Sequence, residues 1–339
     1  MEKLNIDKVA KLAHVSRSVV SRVINNHPNV SDEARKRVME VVEKYNYKPN
    51  AVARSLATKS TRQINVLTSR FGDESLGNGY WTLLYLGIFE ECVKHGYYVR
   101  LSFYSPSIRN EMSGLILNED QLDGLICLNE EVTDLALDML EGKEIPIVLV
   151  GHNPKFPEIS SVDVDNYAGA MLATSHLLSL GHQTIGAMFG NQNNEETEHR
   201  MRGFQDALKR EGLTADRSLV SVKSYSQHDG YETVKRWIGN HTGLSAIFCA
   251  SDTLAMGALL ALDEKDIRVP EEFSIVGFDG LPFSRYLIPP LTTVSQPTQE
   301  KGKQAAKMLI DQIEGRQEKV VQKYLEPVLT VRGSTGKVL

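Results

Sequence analysis

Arg17, Ser18, Ser21 and Arg22 sit in a short stretch whose apolar neighbours have helical spacing. Val9, Ala10, Leu12, Ala13, Val20, Val23 and Ile24 can close a small core, which leaves the two arginines and two serines pointing outward. Guanidinium forks and hydroxyls on one helix face are recognition chemistry, suited to base edges and phosphates. Ser16 is placed to cap the start of that helix, because its hydroxyl can accept an otherwise unpaired backbone N–H. Two short helical patterns meeting at a tight turn have the form of a helix-turn-helix nucleic-acid reader.

Bond-making chemistry has no comparable signature. His152, His182, His199 and the remaining histidines have no metal-ligand spacing, and residues 186–190 lack the Lys-Ser/Thr of a phosphate loop. No Ser/His/Asp arrangement or nucleophile elbow is present. Cys92, Cys127 and Cys249 are far apart, have apolar neighbours and form no Cys-x-x-Cys pair, so free buried thiols in a reducing compartment are expected rather than a disulfide or a metal site. The expectation is a protein with no metal, no cofactor and no enzymatic activity.

Charge separates the chain into two parts. Residues 1–62 hold 13 Lys and Arg against 6 Asp and Glu, whereas the remainder holds 25 against 37. A cationic head on an acidic body suits a protein that grips phosphates at one end only, because non-specific affinity for DNA comes mainly from counterion release. The opening Met1-Glu2-Lys3-Leu4-Asn5 is followed by no apolar run, and no stretch approaches the roughly 18 apolar residues of a membrane span. A cytoplasmic location without membrane contact follows as an expectation.

After Pro49, residues 51–57 are good helix formers in a segment too short to be stable alone, because helix nucleation is costly. An apolar wedge such as Leu56 could enter a minor groove; packing on the body is its plain alternative. From residue 63 the pattern turns to buried strands, at 64–67, 99–103, 124–128, 145–150, 185–189, 246–249 and 274–278, with helical stretches such as 83–95, 168–180 and 202–211 between them. Such alternation describes a doubly wound α/β body, whose ligands bind beyond the carboxyl ends of the strands.

The run Val9-Ala10, Val15-Ser16, Val20-Ser21-Arg22-Val23, Asn25, Val30-Ser31, then Tyr45 to Ala53 and Leu56, resembles the lac repressor/galactose repressor family of bacterial transcription regulators. Two positions depart from it: His14 stands where the family usually has Gly at the turn, and Val19 stands where it usually has Thr, which removes a hydroxyl from the DNA face. The resemblance covers the whole chain. It implies an all-α helix-turn-helix headpiece (residues 1–48), a hinge helix or linker (49–61), and a core (62–339) of two parallel-sheet sub-domains like a periplasmic binding protein. The expected crossings lie near Ser161, Pro290 and Val320, giving one sub-domain of about 62–161 and 291–320 and another of about 162–290 and 321–339.

Residue by residue, the resemblance assigns base reading to Arg17, Ser18 and Arg22, phosphate contacts to Ser16, Ser21, Asn25 and Ser31, and minor-groove contact to Ala53 and Leu56. In the core it assigns effector contacts to Tyr80, Trp81, Arg200, Tyr225, Ser251 (where the family usually has Asn), Asp279 and Gln296. Taken singly, each has a structural alternative: aromatic as core, Asp279 as a loop cap, Arg200 as a surface ion pair. Together they imply a dimeric repressor, with a tetramer left open, that binds pseudo-palindromic operator DNA under control of a small carbohydrate. The alternatives are a regulator of the same family responding to a purine or another metabolite, and a cytoplasmic solute-binding protein.

Overall fold

A computed structural model describes residues 4–24, 28–47, 60–68, 79–104, 122–140, 145–152, 154–191, 194–240 and 243–338. The chain divides into two compact units, residues 1–62 and 63–339. Asn25, Ala53 and Leu56 fall outside the described residues.

In the first unit, α1 (Ile6–Ala13), α2 (Arg17–Ile24) and α3 (Asp32–Lys44) enclose Val9, Ala10, Ala13, Val20, Val23, Val38 and Tyr47. Each helix start is capped by a side chain: Asn5 accepts from Lys8 N at 2.9 Å, Ser16 from Val19 N at 3.3 Å, and Ser31 from Ala34 N at 3.4 Å. Leu12, expected in this core, is 43% exposed, because a three-helix core this small is closed by Val38 and Tyr47 from the C-terminal side instead.

His14 ends α1 in the left-handed conformation (φ 53°, ψ 46°), and its N–H reaches the Ala10 and Lys11 carbonyls. The turn therefore keeps the geometry that glycine adopts without penalty. We expect His14→Gly to stabilise the headpiece by about 0.5–1 kcal/mol, the relief of the left-handed side chain being partly offset by greater unfolded-state entropy. Urea unfolding followed by a headpiece probe measures it; an unchanged or lower midpoint refutes the strain.

The second unit contains two parallel sheets. The first, in spatial order β11 (Gln322–Leu325), β5 (Ser160–Val164), β4 (Ile147–Val150), β3 (Gly124–Cys127), β1 (Gln63–Thr68) and β2 (Tyr98–Phe103), is parallel throughout. The second runs β12 (Val328–Thr330), β10 (Thr292–Ser295), β9 (Ser274–Asp279), β8 (Ala246–Cys249), β6 (Ile185–Phe189) and β7 (Val220–Val222), with only β12 antiparallel. Strand parity divides each core in two. Ile64, Val66, Ile126 and Val148 pack on one side of the first sheet, and Leu67, Leu125, Cys127 and Leu149 on the other. This two-sided burial explains why the strands read as continuous apolar runs.

Helices cover both faces: α4 (Gly79–Lys94), α5 (Glu130–Met139) and α10 (Thr298–Ile313) the first sheet, and α6 (Asn166–Ser179), α7 (Glu195–Arg210), α8 (Gln227–Asn240) and α9 (Asp252–Asp263) the second. Helices α4 and α10 touch at glycines: a Cβ on Gly302 would lie 2.3 Å from the Leu84 carbonyl oxygen, and one on Gly87 2.0 Å from that of Gln299. Only glycine permits that approach, and it fixes the height of Lys301 beside Gly302.

The sub-domain crossings differ from those expected. Strand β5 belongs to the first sheet, β10 pairs with β9 in the second, and β11 pairs with β5 in the first. The chain therefore crosses near Asp165, at Gln296-Pro297, and at Glu326-Pro327, rather than near Ser161, Pro290 and Val320. The short strands β10 and β11 are what the apolar-run reading overlooked. β11 is an edge strand with half its residues exposed, so it carries no continuous apolar run.

Candidate functional site

In the headpiece, Arg17, Ser18 and Arg22 are exposed, while Val20 and Val23 from the same helix are buried. Helix α2 thus presents a polar face with the expected residues on it. Ser16 and Ser18 share a hydroxyl contact of 2.8 Å, and Arg17 lies 4.0 Å from Asp7 at the surface, a weak pairing that leaves the guanidinium available. Ser21 is half-buried, and Ser31 caps α3.

In the core, Arg200, Tyr225, Ser251, Asp279 and Gln296 lie toward the carboxyl ends of the second sheet's strands, whereas Tyr80 and Trp81 lie on α4 of the first sub-domain. Arg200 on α7 is buried, not the surface ion pair that was its plain alternative. Its Nε donates to Asn166 Oδ1 at 2.8 Å and its Nη1 to the Ala250 carbonyl, just past β8, at 2.6 Å. The guanidinium lies 4.0 Å from the Phe278 ring centroid and 5.9 Å from that of Tyr225. Nη2, 3.9 Å from Glu196 Oε2, is beyond hydrogen-bond distance of that carboxylate. Burial alone would lower the Arg200 pKa, but Tyr225, Asp279 and Glu196 outweigh it, so the fork stays charged.

Asp279 ends β9 with φ 110°, a conformation that side chains other than glycine's rarely adopt. It is buried and accepts from Gln296 Nε2 at 2.6 Å. Burial pushes its pKa up to about 7, against the opposing pull of Arg200 and the Gln296 hydrogen bond. Strain and a perturbed carboxyl at one residue are hallmarks of a functional position. Gln296 keeps its own Oε1 buried without a partner, as does Thr298 Oγ1.

Tyr225 lies against Gly190, where a Cβ would come within 2.1 Å of the ring, and its hydroxyl is 3.3 Å from Thr197 Oγ1. Burial raises its pKa, so the phenol stays neutral and can donate. Tyr80, on the first turn of α4, stands edge-on to Trp81 at 5.1 Å. Both rings pack partly on the first sheet's core, and burial pushes Tyr80 up to about 12. Ser251 takes a capping role: its Oγ accepts from Leu254 N at 3.1 Å at the start of α9. Asp252 beside it is fully buried, accepting from Thr293 Oγ1 at 2.5 Å and Leu281 N at 2.7 Å, and so ties the loop after β9 to strand β10.

The sequence reading did not find Lys301, Asp163 or Asn166. Lys301 Nζ, on α10, donates to Asp163 Oδ1 at 3.2 Å and lies 5.2 Å from the Tyr80 ring centroid. Asp163 Oδ2 accepts from Asn166 Nδ2 at 3.2 Å, and Asn166 passes the chain on to Arg200. A continuous line of polar contacts therefore runs from Lys301 in the first sub-domain to Ala250 in the second. The available signal was charge within apolar periodicity: Asp163 in the run 160–164 and Lys301 on the inner face of α10.

Such an arrangement offers recognition chemistry, with donors, acceptors and aromatic faces near the strand ends where doubly wound sheets bind ligands. Among the described residues no cluster of His, Cys, Asp and Glu could hold a metal ion, and no helix is long and apolar enough to cross a membrane.

A family model described as bacterial regulatory proteins, lacI family, matches residues 5–50, and one described as a periplasmic binding protein-like domain matches residues 174–335. The HTH-type transcriptional repressor PurR of Haemophilus influenzae (strain PittEE) is 33% identical over 342 residues, covering 98% of this chain and 99% of its own. The solved lac repressor dimer bound to operator and the anti-inducer ONPF is similar with TM-score 0.84 at 25% identity, over 99% of this chain and all of that one. The transcriptional regulator CelR in complex with cellobiose is similar with TM-score 0.76 at 28% identity, over 98% of this chain and 99% of that one.

Proposed function

The chain belongs to the lacI family of bacterial regulatory proteins, and we propose that it is a homodimeric transcriptional repressor whose hold on a pseudo-palindromic operator is set by a small neutral sugar in the core. It works in the cytoplasm by binding alone, without catalysis. The observation that carries the sugar reading is the buried group of Arg200, Asp279 and Gln296, with Tyr80 and Tyr225 beside it and the Gln296 Oε1 left without a partner. Flat rings suit the apolar face of a sugar, and a fork with a carboxylate suits vicinal hydroxyls.

On DNA, Arg17, Ser18 and Arg22 read base edges in the major groove. Ser16, Ser21, Asn25 and Ser31 hold phosphates, and Ala53 and Leu56 enter the minor groove. One α2 helix spans a half-site, so two protomers are needed for a whole one. Effector and operator are coupled reciprocally: whatever factor the sugar changes operator affinity by, the operator changes sugar affinity by the same factor.

The test is a gel shift on selected operator fragments with and without a panel of neutral sugars. A shift in operator affinity with a sugar supports the reading; indifference to every sugar, together with a response to a nucleobase, rejects it. We further expect Arg22→Ala to lose about 1–3 kcal/mol per half-site on specific DNA and to relax base preference there. Equal loss on specific and random fragments would reassign Arg22 to phosphate.

A further inference from the structure

Resting on the reading of the core as an effector site, we propose that Thr298 and Lys301, with Asp163 holding Lys301, form a second hydroxyl-binding end of that site and select a short saccharide with free hydroxyls there.

Thr298 and Lys301 are three residues apart on α10 and so share one helix face. Both are 2% exposed. Thr298 Oγ1 is buried without a partner, as is Gln296 Oε1, which precedes it at the crossing between the sub-domains. Two unmet polar atoms in a row are costly unless something satisfies them, and each can be met by a guest hydroxyl. Gln296 is tied to Asp279 at one end of the row, and Lys301 is tied to Asp163 at the other. The row thus joins the Arg200 group to the first sub-domain.

The charge balance defines the guest. Asp163 and Glu196 act on Lys301, and Arg200, Glu196 and Lys301 act on Asp279, so the row already carries carboxyls beside its two cations. An added anion would meet three carboxylates against two cations already engaged, so a sugar acid or sugar phosphate is disfavoured. An apolar aglycone would leave Thr298 Oγ1 and Gln296 Oε1 buried without hydrogen bonds. A neutral polyol meets both requirements.

The test is calorimetry on the full chain with D-ribose, D-glucose, D-galactose, cellobiose, hypoxanthine and guanine. Two variants separate recognition from folding. Thr298→Val removes an oxygen that has no partner, so its Tm should match or exceed that of the parent. Lys301→Met/Asp163→Asn removes both charges together and avoids leaving one of them buried alone. We expect the parent to bind at least one saccharide, and each variant to bind it more weakly by on the order of tenfold or more. If both variants bind the parent's saccharide with unchanged Kd, the row is structural and the proposal falls while the effector site stands. If the parent binds hypoxanthine or guanine and no saccharide, the sugar reading itself fails and takes this inference with it.

Discussion

Arg200→Met should abolish measurable sugar binding and lower stability by about 2–5 kcal/mol, although the side-chain volume is nearly kept. The substitution strips donors from Asn166 Oδ1 and the Ala250 carbonyl, both bonded by the guanidinium inside the core. Each orphaned buried acceptor costs about 1–3 kcal/mol. It also removes the cation that opposes the burial of Asp279, so that carboxyl titrates higher still. Arg200→Lys should not restore binding, because one ammonium cannot serve Asn166, Ala250 and a guest with fork geometry. Calorimetry and thermal unfolding decide the matter. Sugar affinity surviving within a few-fold in Arg200→Met would remove Arg200 from the site.

For Asp279→Asn, stability and affinity should move in opposite directions. The folded-state pKa of Asp279 is raised from 3.8 to about 7. A carboxyl raised in this way contributes most to stability below pH 4, and that contribution is lost as pH rises towards 7 and the buried group must ionise. Asparagine never ionises, and it tolerates the positive φ better than most residues. The variant should therefore match the parent near pH 4 and be more stable above pH 7. The ceiling is about 4 kcal/mol, since one pKa unit corresponds to about 1.36 kcal/mol.

Sugar binding should respond the other way. Losing the charge-assisted acceptor weakens affinity by about 1.5–3 kcal/mol above pH 7, and parental affinity should fall as pH drops below 7 while that of the variant stays flat. Thermal melts from about pH 4 to 8.5 and calorimetry from about pH 6 to 8.5 test both arms. Equal affinities above pH 7 would show that the carboxylate does not touch the guest.

Local pattern carried the headpiece almost completely. Two short helices meeting at a turn, the Ser16 cap of the second and the outward set Arg17, Ser18 and Arg22 depend on contacts a few residues apart, and helical periodicity reports those contacts directly. Leu12 was misplaced because the third side of that core comes from Val38 and Tyr47, which the period of α1 does not register. The two-sheet body was legible for a similar reason, since strands buried on both faces are apolar throughout. Its crossings were not, because β10 and β11 take their identity from partners far along the chain, β9 and β5.

For the proposed effector site, the sequence by itself named Arg200, Tyr225, Asp279 and Gln296 through the family resemblance, and the last three stand at strand ends or just beyond, where doubly wound sheets direct ligands. Only the tertiary structure decided that Ser251 caps a helix, that Arg200 is buried on Asn166 and Ala250, and that Lys301 meets Asp163 across 138 positions of sequence. A lone lysine on a helix reads as a solvated charge. Its burial follows from the approach of α4 and α10 at Gly87 and Gly302, and charge pairing at that distance depends on packing, which leaves no periodic trace in the chain.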